Sequence, residues 1–301
     1  MSGARPPRVS VVVATRDRAQ RLEALLTALR EQSLPASDFE LVIVDDGSRD
    51  ETAALLGDER LRPEVSVRVL HGDGSGPAAA RNAGWRAAVA PLIAFTDDDC
   101  EPPAGWLAAL VGCADAHPDA IVQGPTQPTP RELAAEGPFT RTKRIPTPNP
   151  WYQTCNILYP RELLELLAGF DEGFPDALGE DTDLGWRARE QGAELVWCEE
   201  AEMHHAVDDL GPLGYLRTAL RGADAVAVFK RFPELRSETL ALGVWRNPAL
   251  PRLGLAIAGL GLARRHPAAV LLALPYARHL AGRCRQRRTS LALAPYYAAY
   301  D

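Results

Sequence analysis

A chain of 301 residues with 46% hydrophobic and 24% charged side chains has ordinary globular composition, enough for one large domain or one domain plus an appendage. Its net charge of −7 argues against a nucleic-acid backbone as partner of the whole protein, and no uninterrupted apolar stretch reaches the ~18 residues of a spanning helix. Residues 239–301 carry nine arginines and one acid, a net of +8, which leaves −15 for the rest of the chain and points to a tail with its own partner. The five cysteines are scattered, odd in number and free of metal-type spacing, so a reduced cytosolic compartment is expected. Met1 to Arg8 is polar and lacks the apolar core of a signal peptide.

Val9-Ser10-Val11-Val12-Val13-Ala14 is β-branched and predicts a strand buried on both faces. Thr15-Arg16-Asp17-Arg18 follows, and the spacing of Leu22, Leu25, Leu26 and Leu29 predicts an amphipathic helix. A second strand, Phe39 to Val44, runs into Asp45-Asp46-Gly47-Ser48. Asp50 or Ser48 is placed to cap a short helix through Leu56. Val65 to Leu70 is a third strand, and Gly72 to Pro77 a flexible loop with Pro77 suited to a first helical turn. A helix over Ala78 to Val89 leads to the strand Ala90 to Phe95, which ends in Asp97-Asp98-Asp99. Strand and helix alternating at this spacing predict a mostly parallel sheet sandwiched by helices, an α/β fold whose ligands bind beyond the strands' carboxyl ends. Thr15-Arg16, Asp45-Asp46, the glycine loop and the three acids all fall at that rim.

Downstream, a helix runs from Trp106 to about Ala116 and a short strand covers Ile121 to Gly124. Proline-rich Pro125 to Pro150 reads as a long functional loop, with Trp151 and Tyr152 placed to frame an acceptor. A helix over Arg161 to Leu167, an acidic helix start at Gly179-Glu180-Asp181-Thr182-Asp183 and a last strand, Leu195 to Cys198, precede His204-His205. From about residue 210 the chain reads as a helical, basic extension, which divides it into 1–209 and 210–301.

Three adjacent carboxylates repel one another and are costly to bury, so a divalent cation is the natural reason for Asp97 to Asp99. Oxygen ligands suit Mg²⁺ or Mn²⁺. Strand alternation predicts that Asp97 and Asp99 share a direction while Asp98 points away. A competing motif is present: Gly74-Ser75-Gly76-Pro77-Ala78-Ala79 satisfies the dinucleotide fingerprint and makes a nicotinamide-type oxidoreductase a second hypothesis. It explains neither Asp45-Asp46 nor Gly179 to Asp183.

Five stretches in order, Val9 to Thr15, Val44-Asp45-Asp46-Gly47-Ser48, Ala80-Arg81-Asn82-Ala83-Gly84, Phe95-Thr96-Asp97-Asp98-Asp99 and Gly179-Glu180-Asp181, resemble glycosyltransferase family 2, the inverting nucleotide-sugar transferases of the Rossmann-like GT-A fold. The resemblance covers about residues 8–206 and leaves the tail uncovered. It implies a nucleoside-diphosphate sugar donor, a Mn²⁺ or Mg²⁺ cofactor and an acceptor hydroxyl on a glycan, a lipid-linked carrier or a small molecule. Thr15, Asp46 and Arg81 match positions that hold the base and diphosphate, with Arg16, Asp98 and Glu180 beside them. In the DxD signature Asp97 falls near the ribose and Asp99 on the metal. Asp181 matches the catalytic base, and its place at a helix start should favour its ionised form. His204 resembles the further metal ligand, with His205 as the alternative. Arg16-Asp17 departs from the Tyr-Asn common there, and Cys100 from a fourth acid. A non-catalytic GT-A binding module and a nucleotidyltransferase are the remaining alternatives. The tail's apolar stretches, Leu253 to Ala263 and Ala268 to Leu274, flank Arg264-Arg265-His266-Pro267 and suit helices lying on a membrane surface, or packed on the main domain or in a homodimer. The matching location is cytoplasmic, peripheral at the inner face of the plasma membrane.

Overall fold

The computed structural model describes residues 5–58, 65–174, 178–220, 225–240, 247, 249–287 and 289–301. Arg246 and Arg288 of the basic tail, part of the helix expected over Tyr215 to Phe232, and residues 1–4 lie outside the described residues. The chain forms two compact units, Met1–Glu132 with Thr142–Ala206, and Leu133–Arg141 with Val207–Asp301. The segment 133–141 thus groups with the later part of the chain, although it interrupts the first unit in sequence.

In the first unit, β1 (Val9–Thr15), α1 (Ala19–Arg30), β2 (Phe39–Asp45), α2 (Thr52–Gly57), β3 (Ser66–His71), α3 (Pro77–Ala87) and β4 (Leu92–Asp97) alternate as their periodicity predicts. Then come β5 (Cys100–Glu101), α4 (Trp106–Ala116), β6 (Ile121–Gln123) and β7 (Thr126–Pro128), and in the inserted segment β8 (Thr140–Arg141). The first unit closes with β9 (Ile157–Pro160), α5 (Arg161–Leu166), α6 (Glu180–Glu190), β10 (Leu195–Trp197) and β11 (Met203–His205). The main sheet has the order β10-β6-β9-β4-β1-β2-β3. β9 is antiparallel to both neighbours, and the other strands run in parallel. All seven residues of β2 are buried, as a central strand covered on both faces requires, whereas β3 at the edge is half-exposed. Leu22, Leu25, Leu26 and Leu29 form the buried stripe of α1. Asp50 serves two helices at once: its carboxylate accepts from the backbone N–H of Ala19 at 3.1 Å and of Thr52 at 2.9 Å.

The expected structureless loop from Pro125 to Pro150 is corrected. It holds β7, a 3-10 turn over Pro130–Ala135, β8, and a bridge from Thr126 to Ile145. β7 joins β5 and β11 in a small second sheet. These strands are two or three residues long and are held by backbone pairing, so they leave no apolar period to read. The expectation of reduced cysteines is also corrected: Cys113 on α4 and Cys198 just after β10 are disulfide-bonded, while Cys100, Cys155 and Cys284 are free and buried.

In the second unit, β12 (Asp208–Asp209) pairs with β8. The helices α7 (Gly211–Leu220), α8 (Ala225–Arg231), α9 (Pro233–Thr239), α10 (Ala249–Leu262), α11 (Leu274–Gln286) and α12 (Ala294–Tyr300) follow. The apolar stretch Ala268 to Leu274 is a 3-10 turn, Pro267–Ala273, that runs into α11. Among the described residues no helix is long and apolar enough to cross a membrane.

Candidate active site

Register fixes where the acids meet. Ala14 of β1 pairs with Asp97 of β4, and Thr15 pairs with Asp45 of β2, so three strands end level at one rim. The chain leaves β4 after Asp97, which ends strand alternation there and corrects the expectation that Asp98 alone diverges. Asp98 turns back to β1 and accepts from the Thr15 hydroxyl at 2.7 Å. Arg18 bridges Asp98 and Asp99, at 3.5 and 2.5 Å. Burial, reinforced by the charge of Asp99, pushes the Asp98 carboxyl up to about 7 despite Arg18.

Asp97 is held from the other side. Arg81 on α3 reaches Asp97 at 3.0 Å and Glu180 at 2.8 Å, and the Lys143 ammonium lies 3.1 Å from Asp97. Burial opposes the charge of Asp97, but Lys143 and then Arg81 outweigh it and hold this carboxyl well below the usual range. Burial likewise opposes the charges of Arg81 and Lys143, and the surrounding carboxylates, Asp97 first, raise both. Arg81 therefore stands as a brace between β4 and α6.

α6 begins at Gly179, whose φ of +108° is a left-handed conformation that side-chain-bearing residues rarely adopt. That turn sets Glu180 and Asp181 at the first helical positions. Asp181 accepts from the Thr182 N–H at 2.7 Å. The expectation that the helix start would favour its charge is corrected: burial, then the charge of Glu180, push Asp181 up to about 7, against Lys143, the Thr182 N–H and Arg81.

A second correction concerns the two histidines. β11 pairs antiparallel with β5, His205 opposite Cys100, and alternation along β11 sends His204 and His205 to opposite faces. His204, expected as the metal ligand, lies 3.2 Å from Glu202. His205 is buried with its Nε2 3.3 Å from Asp99 Oδ1. Its Nδ1 lies 2.9 Å from the Ala206 carbonyl, which can only accept, so Nδ1 is the donor there and Nε2 is the ring atom turned to Asp99. Among the described residues Asp99 Oδ1 is buried without a hydrogen-bond partner. An imidazole nitrogen and a carboxylate oxygen side by side in a buried place are the ligand atoms that fit a cation between them. The Cys100 sulfur lies nearby, but burial pushes its thiol pKa well up, so it is a neutral thiol and a poor ligand for a hard ion.

At the neighbouring strand end, Asp46 accepts from the N–H groups of Gly74 at 3.1 Å and Gly76 at 2.9 Å. Those are the amides that a dinucleotide fingerprint would turn toward a pyrophosphate, and here a carboxylate holds them. Half-exposed Arg16 lies over Gly74. Tyr152 is buried rather than open to a ligand, because its ring packs where a Cβ on Gly185 of α6 would sit, at 2.1 Å. Trp151 is half-buried, and its carbonyl accepts from Thr182.

Sequence reasoning gave Arg18 no role and missed Lys143 altogether. Lys143 sits in a proline-rich stretch with no periodicity, and its only signal is rarity: Lys143 and Lys230 are the two lysines of an arginine-rich chain.

Residues 10–167 match the family described as glycosyl transferase family 2. The chain is 29% identical over 296 residues to the pre-mycofactocin glycosyltransferase of Mycobacterium tuberculosis (strain ATCC 25618 / H37Rv), covering 94% of this chain and 59% of that protein. It is 29% identical over 229 residues to the validoxylamine A glucosyltransferase of Streptomyces hygroscopicus subsp. jinggangensis, covering 65% of this chain and 54% of that one. The chain thus spans a little over half the length of these curated relatives. Among solved structures, the mannosyltransferase PcManGT from Pyrobaculum calidifontis, in complex with GDP-Man and Mn²⁺, matches with a TM-score of 0.68 at 24% identity, over 98% of this chain and 86% of that one. That likeness establishes the GT-A fold. Because the family match spans just over half of the residues, the chain belongs to glycosyl transferase family 2.

Proposed function

We propose that this protein is a metal-dependent, inverting glycosyltransferase that moves a sugar from a nucleoside-diphosphate donor to an acceptor hydroxyl. The observation that carries the reading is Asp181. It is a half-buried carboxyl at the start of α6, lifted to about 7 by desolvation and by Glu180, in one electrostatic cluster with Asp97, Arg81 and Lys143. A base works best when its pKa lies near the working pH, and burial places Asp181 there.

In this reading the acceptor oxygen attacks the anomeric carbon in one displacement while Asp181 takes its proton. Inversion follows from that single step. Asp99 and His205, with Asp97 beside them, would hold Mn²⁺ or Mg²⁺, which when bound supplies neutralising charge for the diphosphate. Arg81 and Lys143 keep Asp97 ionised and add positive charge close to where the leaving group's charge grows. Thr15 and Arg18 fix Asp98 and Asp99, and Arg16 and Asp46 stand at the nucleotide end of the rim. The solved neighbours hold UDP, UDP-GlcNAc or GDP-Man, which supports a nucleotide-sugar donor without selecting its base or sugar.

The test separates binding from chemistry. Calorimetric titration with UDP, GDP and dTDP in the presence of Mn²⁺ finds the accepted nucleotide. Asp181→Asn then keeps that binding within about twofold, while sugar transfer, or slow donor hydrolysis, falls by about 10² to 10⁴. Unchanged turnover in Asp181→Asn overturns the assignment of the base.

A further inference from the structure

In the second unit the α10 hairpin leaves much of its apolar surface uncovered. The contact between α10 and the 3-10 turn Pro267–Ala273 is made by small residues. Ala256 and Gly259 are buried, and a Cβ on Gly259 would lie 2.5 Å from the Ala269 carbonyl oxygen. Leu253, Tyr276 and Leu280 pack inside, but six large apolar side chains stay outside: Leu255, Ile257 and Leu260 on α10, with Val270, Leu271 and Leu274 across the turn. Ile257 is 63% and Leu271 60% exposed. Helices in water bury their large apolar residues. Close contact through small residues, with a row of leucines left outside, is the arrangement of helices that meet lipid.

Charge decides what covers this face. Between α10 and the 3-10 turn stand Arg264 and Arg265, both exposed. After Glu238 the one acid is Asp301. Its side chain is fully buried, with Arg283 at 2.6 Å and the Tyr276 hydroxyl at 3.2 Å, so it offers no surface charge. A second copy docking this face on itself would bring arginines together with no acid to answer them. An anionic lipid surface answers both the leucines and the arginines. At 14 residues α10 is about 21 Å long, shorter than the ~30 Å hydrocarbon core, which fits a helix lying in the interface rather than spanning it.

We infer that the α10 hairpin is a docking face for an anionic bilayer, entered by its outward leucines and anchored by Arg264 and Arg265. This assignment stands independently of the catalytic reading.

The experiment is flotation of the full chain at low salt with phosphatidylcholine vesicles, with and without phosphatidylglycerol. Binding to the phosphatidylglycerol vesicles, lost on the neutral ones and weakened by added salt, is the expected result. Arg264→Gln with Arg265→Gln lowers the partition coefficient about 30-fold. Ile257→Ser with Leu271→Ser abolishes flotation, while an unchanged circular-dichroism melt shows that the variant is folded. Three results overturn the inference. These are failure of the folded full chain to float, equal binding to neutral vesicles, or a sedimenting dimer that the Ile257→Ser/Leu271→Ser variant converts to monomer.

Discussion

The two units of this chain handle charge and apolar surface in opposite ways. At the rim of the first, Asp97, Asp98, Asp99, Glu180 and Asp181 are crowded together, and Arg18, Arg81 and Lys143 are threaded between them. Below that rim the large apolar side chains are sealed in, Leu22, Leu25 and Leu41 among them. In the second unit the arginines outnumber the acids, and leucines of α10 and the following turn stay outside. Crowded like charges that must be braced are the mark of a site where charge is handled during a reaction. Unanswered charge beside exposed apolar surface is the mark of a face made for something else to cover.

One substitution made in both units sharpens the contrast. Leu25→Ala, in the core of the first, should cost about 2 to 5 kcal/mol in urea unfolding. Turnover gives the next effect. With Asp181 as the proposed base the active form is the ionised one, and its pKa is raised to about 7, so kcat/KM should be level above that pH and fall about tenfold per unit below it. A profile that stays flat to pH 5 would mean that Asp181 is not the base. The smallest effect is Leu260→Ala on α10, which should change stability by no more than about 0.5 kcal/mol, because that side chain already meets water. Equal costs at Leu25 and Leu260 would erase the distinction between the two units.

How much of this could be read in the sequence follows from which forces act locally. The strands β1, β2 and β4 and the helix α1 were legible because burial imposes a period on neighbouring residues. The acids at the strand ends were legible because three carboxylates in a row are costly without a purpose. Long-range pairing was not. β9 enters the sheet antiparallel between β4 and β6, and β5, β7 and β11 form a sheet of very short strands, all through backbone bonds between distant segments. His205 and His204 are identical in composition, and only the pairing of β11 with β5 decides which one faces Asp99. The Cys113–Cys198 bond joins positions 85 residues apart, and Lys143 reaches Asp97 from a stretch without pattern. Helix-start chemistry suggested an acidic Asp181, but burial beside Glu180 is the larger effect and reverses the sign.

The most direct test of the site is a calorimetric comparison of the wild type, His205→Ala and His204→Ala, each titrated with the accepted nucleoside diphosphate with and without Mn²⁺. His205→Ala is expected to lose the Mn²⁺-dependent part of binding while His204→Ala keeps it. Loss in His204→Ala with retention in His205→Ala, or retention in both, would contradict this expectation.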